Sequence, residues 1–141
     1  MLLVSHGIDL FRGASSSAAG VNPDLRRAIE ASLRRGIVVN TLYASGSGRV
    51  QRNRFLVSNG QGCLSRLAAE TGGEAFFQGY DTPVSFKPFL EQLGENFGQQ
   101  YRLTFRAQPG KKASYQRLRV DAEVPGVELL APARVYIPAA Q

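Results

Sequence analysis

The sequence predicts an α/β fold: a partial, doubly wound parallel sheet with helices against it, followed by an antiparallel β tail. Three observations predict it. Residues 2–5 and 37–43 are short apolar runs separated by a helix-patterned stretch, and the same strand–helix–strand rhythm continues to residues 74–77. The 37–43 run, IVVNTLY, is β-branched and almost continuously apolar, which favours a parallel strand covered on both faces. After Gly98 the apolar period changes from that of a helix to that of a strand.

Residues 2–5 (LLVS) form the first strand, which delivers His6 and Gly7 into a loop rich in Gly, Ser and Ala that extends to Gly20. Asn22-Pro23 opens a helix, because the asparagine side chain accepts from orphan N–H groups and proline at the first helical position forfeits no hydrogen bond. Leu25, Ala28, Ile29, Ser32 and Leu33 share one face, Arg34 and Arg35 suit the negative end of the dipole, and Gly36 stops the helix. A polar loop over 45–60 then leads to a second helix over about 61–71, burying Leu64, Leu67 and Ala68, with Gly72-Gly73 as its stop and 74–77 as the next strand. A third helix follows Ser85, with Pro88 in its first turn and Phe86, Phe89, Leu90, Leu93 and Phe97 on one side.

In the tail, Tyr101, Leu103 and Phe105 alternate with Arg102, Thr104 and Arg106, and Leu118, Val120, Ala122 and Val124 alternate with Arg117, Arg119, Asp121 and Glu123. With Pro109-Gly110-Lys111-Lys112 as the turn, this predicts a hairpin with one wet face, followed by short strand pieces at 127–130 and 133–137. The expected organisation is an α/β portion over 1–99 and a β tail over 100–141, packed on the sheet or extending it.

Composition sets bounds on function. No apolar run approaches the roughly 20 residues of a membrane-spanning helix, and residues 1–4 are too few for a secretory core of about 7 apolar residues. Cys63 is the only cysteine and His6 the only histidine, which excludes an internal disulfide and a Cys/His zinc cage. No cofactor is expected, and the compartment is not legible from cysteine usage. The net charge of +6 is uneven: residues 1–60 hold eight arginines against Asp9, Asp24 and Glu30, whereas 61–141 hold nine basic and eight acidic side chains.

The strand ending in Ser-His-Gly-Ile-Asp, the segments GIVVNTLYASG, LSRLAAETGGEAFFQG and TPVSFKPFLEQL, and the tail phrases QQYRLTF and VELLAPARVYIP occur in an order and spacing that resembles the later part of bacterial von Willebrand factor type A-related domain proteins. The resemblance covers most of the chain. It implies a Rossmann-like sheet of the von Willebrand A type and a usually exported module that binds proteins through loops at the C-terminal ends of its strands. In that family a metal-ion-dependent adhesion site takes an Asp-x-Ser-x-Ser loop, a Thr from a second loop and an Asp from the strand that here ends at Ser5. The resemblance places the first two ahead of Met1 and His6 at the third, so it implies the back half of a domain with an incomplete metal site. An exposed edge at residues 2–5 is then expected to favour self-association.

The candidate site residues follow. His6 and Asp9 lie in the opening loop, but magnesium-type sites want several oxygens and not imidazole, so neither is expected to hold a metal. Arg49, Arg52 and Arg54, ending in Phe55, form a basic loop at the presumed binding edge. It suits an acidic protein surface better than nucleic acid, whose single-stranded forms call for more aromatic platforms than Phe55 alone. Cys63 near Gly60-Gln61-Gly62 has His6, at the end of a different strand, as its only candidate base and no orienting third group, and reads as a small core hydrophobe. Ser15-Ser16-Ser17 lacks the context of a nucleophile elbow. The expected function is protein–protein binding without catalysis, with a basic nucleic-acid-binding domain and a non-functional gene fragment as the alternatives.

Overall fold

The computed structural model describes residues 1–7, 22–44, 54–76, 85–108 and 110–140. Among these described residues eight elements follow in order: β1 (Leu2–Ser5), α1 (Pro23–Arg35), β2 (Asn40–Tyr43), α2 (Arg54–Thr71), β3 (Ala75–Phe76), α3 (Lys87–Gly98), β4 (Ser114–Arg117) and β5 (Arg134–Ile137). The first three strands form a parallel sheet in the order β1-β2-β3. Leu2 to Ser5 pair with Asn40 to Tyr43, and Thr41 and Leu42 pair with Ala75 and Phe76.

The sheet is covered on both faces, and the alternation of side chains along β2 shows how. Leu3, Val39 and Tyr43 point to the face occupied by α1 and α2, where they meet Leu25, Ile29, Cys63 and Leu67 at one end and Val57 and Leu64 at the other. Leu2, Leu42 and Phe76 point to the opposite face and pack on Phe86, Phe89 and Leu93 of α3 and its entry. All four residues of β2 are buried, as a central parallel strand requires. Val4 of the edge strand β1, by contrast, is 53% exposed.

α1 has the expected ends. Asn22 Oδ1 accepts from the N–H groups of Asp24 and Leu25 at 2.8 and 3.2 Å, and Pro23 follows at the first helical position. At the other end Gly36 is left-handed (φ 63°), its N–H reaching Leu33 O while the Ile37 N–H reaches Ser32 O. These paired bonds are those of a Schellman stop. They explain why β2 begins at Asn40 and not at residue 37: Ile37 closes the helix, and Val39 gives its N–H to the Thr71 hydroxyl at 3.1 Å.

α2 starts at Arg54, seven residues before the sequence suggests, so residues 54–60 are helix and not part of a polar loop. Ser58, Asn59, Gly60 and Gly62 are weak helix formers, and tertiary packing overrides them. Val57 is buried against Tyr43 and Leu64, and Gly60 lies directly on Gly7. The far end of α2 is stitched to β2. The Thr71 hydroxyl donates to Leu67 O at 2.8 Å while accepting from Val39 N, Thr41 Oγ1 donates to Leu64 O, and Asn40 Oδ1 accepts from Glu74 N. Gly73 turns so close to β2 that a Cβ there would sit 2.2 Å from Val39 O.

α3 is rotated relative to the sequence expectation. Leu93, Phe89 and Phe86 reach the core, but Leu90 and Phe97 remain about half exposed. The carboxylate of Glu74 accepts from the side-chain amides of Gln92 and Asn96, which turns that stripe toward the sheet and carries positions 90 and 97 away.

The tail differs most. Residues 101–106 form no strand, and the expected hairpin with 117–124 is absent; β4 pairs antiparallel with β5 instead, as a separate two-stranded sheet. The reason is what each segment can pack on. Tyr115 and Tyr136, directly opposite in the ladder with ring centroids 5.4 Å apart, lie under the Arg34 guanidinium of α1, whose carbon is 5.9 and 5.5 Å from the two rings. Arg34 Nε donates to the Tyr115 hydroxyl at 2.7 Å, and that hydroxyl reaches Glu30 O. Arg134 pairs with Glu70 of α2, which also binds Arg66 at 2.9 Å. Residues 131–132 close over Gly72 (φ 80°), where a Cβ would lie 2.5 Å from Pro132 N.

Two outcomes test this packing. Gly73→Ala is expected to destabilise the protein by about 3 kcal/mol, an overpacking cost directed at backbone. Gly62→Ala, within α2 and with nothing within 4 Å of its added Cβ, is expected to stabilise it by about 0.5–1 kcal/mol. Urea unfolding followed by circular dichroism measures both. The Glu70 clasp sets an acid limb: burial pushes the carboxyl up, but hydrogen bonds from Arg66 and Arg134 outweigh it and hold the group below the ordinary carboxylate range. A depressed folded value contributes stability above the unfolded-chain value of about 4.3, lost as pH falls through the folded value. Glu70→Gln is therefore expected to flatten the fall in stability below about pH 4.5; an unchanged acid limb would show that the clasp is not linked to folding.

Candidate functional site

In a parallel sheet the C-terminal ends of the strands share one edge, and here Ser5, Tyr43 and Phe76 end there. β1 terminates in a compact turn. Ser5 Oγ accepts from the Gly7 N–H at 3.2 Å and donates to Gly7 O at 3.0 Å, and Gly7 has φ 110°, a conformation open to glycine. A Cβ on Gly7 would meet Gly60 Cα at 2.8 Å, and one on Gly60 would meet Gly7 Cα at 3.1 Å. This glycine pair lets α2 cross the tip of β1 backbone on backbone.

The crossing sets the height of α2 above the sheet. The helix runs antiparallel to β2, with Thr71 at the strand's start, Leu64 beside Thr41 and Val57 against Tyr43 at its end. Arg54 lies six residues before Gly60, about 9 Å further along the axis at 1.5 Å per residue. The first turn of α2 therefore stands past the strand ends. Arg54 is exposed there, and Phe55 is 58% exposed. One turn on, the side-chain amide nitrogen of Asn59 is buried and has no hydrogen-bond partner among the described residues.

His6 stands exposed at the tip of β1, next to the Gly7–Gly60 contact. The structure thus brings His6 and Arg54 to one edge. Asp9, Arg49 and Arg52 lie outside the described residues. Cys63 is in the core between α1 and α2, where burial pushes its thiol up despite the opposing charge of Arg66, away from the thiolate that nucleophilic chemistry needs. Sequence reasoning missed Asn59 and the Gly7–Gly60 contact. The only signal for the latter was a glycine at a strand end, which has many other uses.

The described residues at the tip, Ser5 and His6, do not by themselves fit a divalent cation of the adhesion-site type. The Ser5 hydroxyl is committed to the Gly7 backbone in both directions, and His6 offers imidazole where such a cation takes oxygen. Among the described residues no group of three or more His, Cys, Asp or Glu side chains is placed to hold a metal, and no helix is long and apolar enough to cross a membrane. Compared with protein-family models, with curated proteins and with solved structures, the chain finds no match.

Proposed function

We propose that this chain is a non-catalytic protein-binding module of the von Willebrand factor A type, and that it engages a protein partner at the C-terminal edge of its parallel sheet without a bridging metal. The consecutive parallel order β1-β2-β3 with helices on both faces supports reading the sheet as part of a doubly wound, Rossmann-like one. The observation that carries the functional reading is the first turn of α2, which stands past the strand ends and presents Phe55 beside Arg54. Aromatic and arginine side chains are the types that dominate protein interfaces, since each offers large contact area with directional polar or cationic character. His6 borders the same surface.

The test is capture from native extract of the source organism by the immobilised full chain, with bound proteins identified by mass spectrometry. Arg54→Glu/Phe55→Ala is expected to reduce recovery of a specifically captured protein by at least about tenfold, equivalent to about 1.4 kcal/mol. Arg26→Glu/Arg27→Glu, on exposed positions of α1, is expected to leave recovery unchanged. Equal recovery by the wild type and the α2 variant, with matching circular dichroism, would remove this edge from the account.

A further inference from the structure

Residues 101–107 carry a feature that the sheet edge does not use. They alternate apolar and polar side chains like a strand, yet no backbone hydrogen bond among the described residues involves them. Tyr101 is 93%, Leu103 69% and Phe105 49% exposed. The stretch thus has the alternation of a strand and much exposed apolar surface, but no strand pairing among the described residues.

Alongside it runs a groove of about 580 Å³, lined by Arg102, Leu103, Thr104, Phe105 and Ala107 on one side and by Val135 to Pro138 on the other. Successive side chains of extended backbone point in opposite directions. A groove lined by four consecutive residues on each wall therefore follows the backbone edges and not one side-chain face. Among the described residues β5 pairs only with β4, so its other edge is open along about 13 Å, with the N–H and C=O groups of alternate residues turned to it. The groove is apolar at Leu103, Phe105, Val135, Ile137 and Pro138, and its rim is cationic. Arg102 lines it, and Arg106 lies between the lining residues Phe105 and Ala107. Among the described residues neither of these two arginines has an ion-pair partner, whereas Arg119 and Arg134 elsewhere in the tail do.

We propose that this groove is a strand-addition site for an extended peptide that alternates acidic and apolar residues, bound by backbone pairing to the open edge of β5 and by the cationic rim. Backbone pairing supplies the affinity in such complexes, and alternate side-chain pockets and charge supply the selection. The site is remote from the one proposed above: β4 and β5 are anchored to the C-terminal ends of α1 and α2, at the opposite end of the parallel sheet. Either surface can fail its test without consequence for the other.

The test is fluorescence anisotropy with the full chain and a labelled heptapeptide of alternating Glu and Val. Saturable binding in the micromolar range is expected, as for other strand-addition modules of modest contact area. Three comparisons are each expected to weaken it by at least about tenfold, or 1.4 kcal/mol: the same peptide N-methylated on alternate amides along one edge, a Glu-Gly heptapeptide of equal charge, and Arg102→Glu/Arg106→Glu in the protein. Both arginines are exposed, and circular dichroism checks that the variant keeps its fold. No binding of the Glu-Val peptide overturns the proposal. So does equal binding of the N-methylated or Glu-Gly peptide, which would mean charge alone attracts it, or equal binding by the double variant.

Discussion

The Thr71 hydroxyl joins the last turn of α2 to the entry of β2, and the rest of the α/β unit is registered from that contact. The residue is 1% exposed, and its oxygen accepts the Val39 N–H while its proton goes to Leu67 O. Val39 has no ladder partner for that N–H, because the strand pairing begins one residue later. Without the threonine, a backbone donor would be buried and unsatisfied, at a cost of about 1–3 kcal/mol. Gly73 makes the same approach possible from the other side of the turn, where no side chain fits beneath Val39 O. With this end set, the helical rise alone carries Leu64 to Thr41, Val57 to Tyr43 and Gly60 to Gly7. The exposure of Phe55 past the strand ends is the last consequence of that chain.

The two ends of α2 consequently have different roles. Its C-terminal end, with Glu70 bound to Arg66 and Arg134 and with Gly72 beneath Pro132, receives the tail. Its N-terminal end projects over the strand tips. A single helix thereby separates the two surfaces proposed for binding, one on the parallel sheet and one on β5. The tail is held by a few specific polar and cation–aromatic contacts around Arg34, Tyr115 and Arg134, and its exposed Val124, Val127, Leu129 and Leu130 contribute little burial. Only the β4–β5 pair reaches these contacts, which is why order in the tail is local.

Local chemistry made some of this legible in the sequence. α1 could be read to the residue because both of its ends are written in side-chain and backbone preferences, Asn22-Pro23 and Gly36. The parallel character of β2 followed from its apolar continuity, and His6 at a strand tip from where that continuity in β1 stops. The start of α2 was not legible, since Asn59, Gly60 and Gly62 argue against helix and what overrides them, Val57 on Tyr43 and Gly60 on Gly7, joins segments far apart in the chain. The basic cluster ending in Phe55 was visible as composition, but the placement of Arg54 and Phe55 on the first turn of α2 was not. In the tail the alternation at 101–106 is real, yet pairing is decided by Arg34 and Glu70, whose positions no alternation reports.

Native-state amide exchange by NMR reports on whether the Thr71 bond to Val39 registers α2 on the sheet. Thr71→Val keeps the shape and removes the acceptor, while Thr71→Ser keeps the acceptor. If that bond sets the register, Thr71→Val lowers global stability by about 1–3 kcal/mol, deprotects the Val39 amide beyond that global loss, and raises exchange at Gly7 and Gly60, with Thr71→Ser close to wild type at all three. Wild-type protection at Val39, Gly7 and Gly60 in Thr71→Val would contradict it and would leave apolar packing alone as what sets the helix on the sheet.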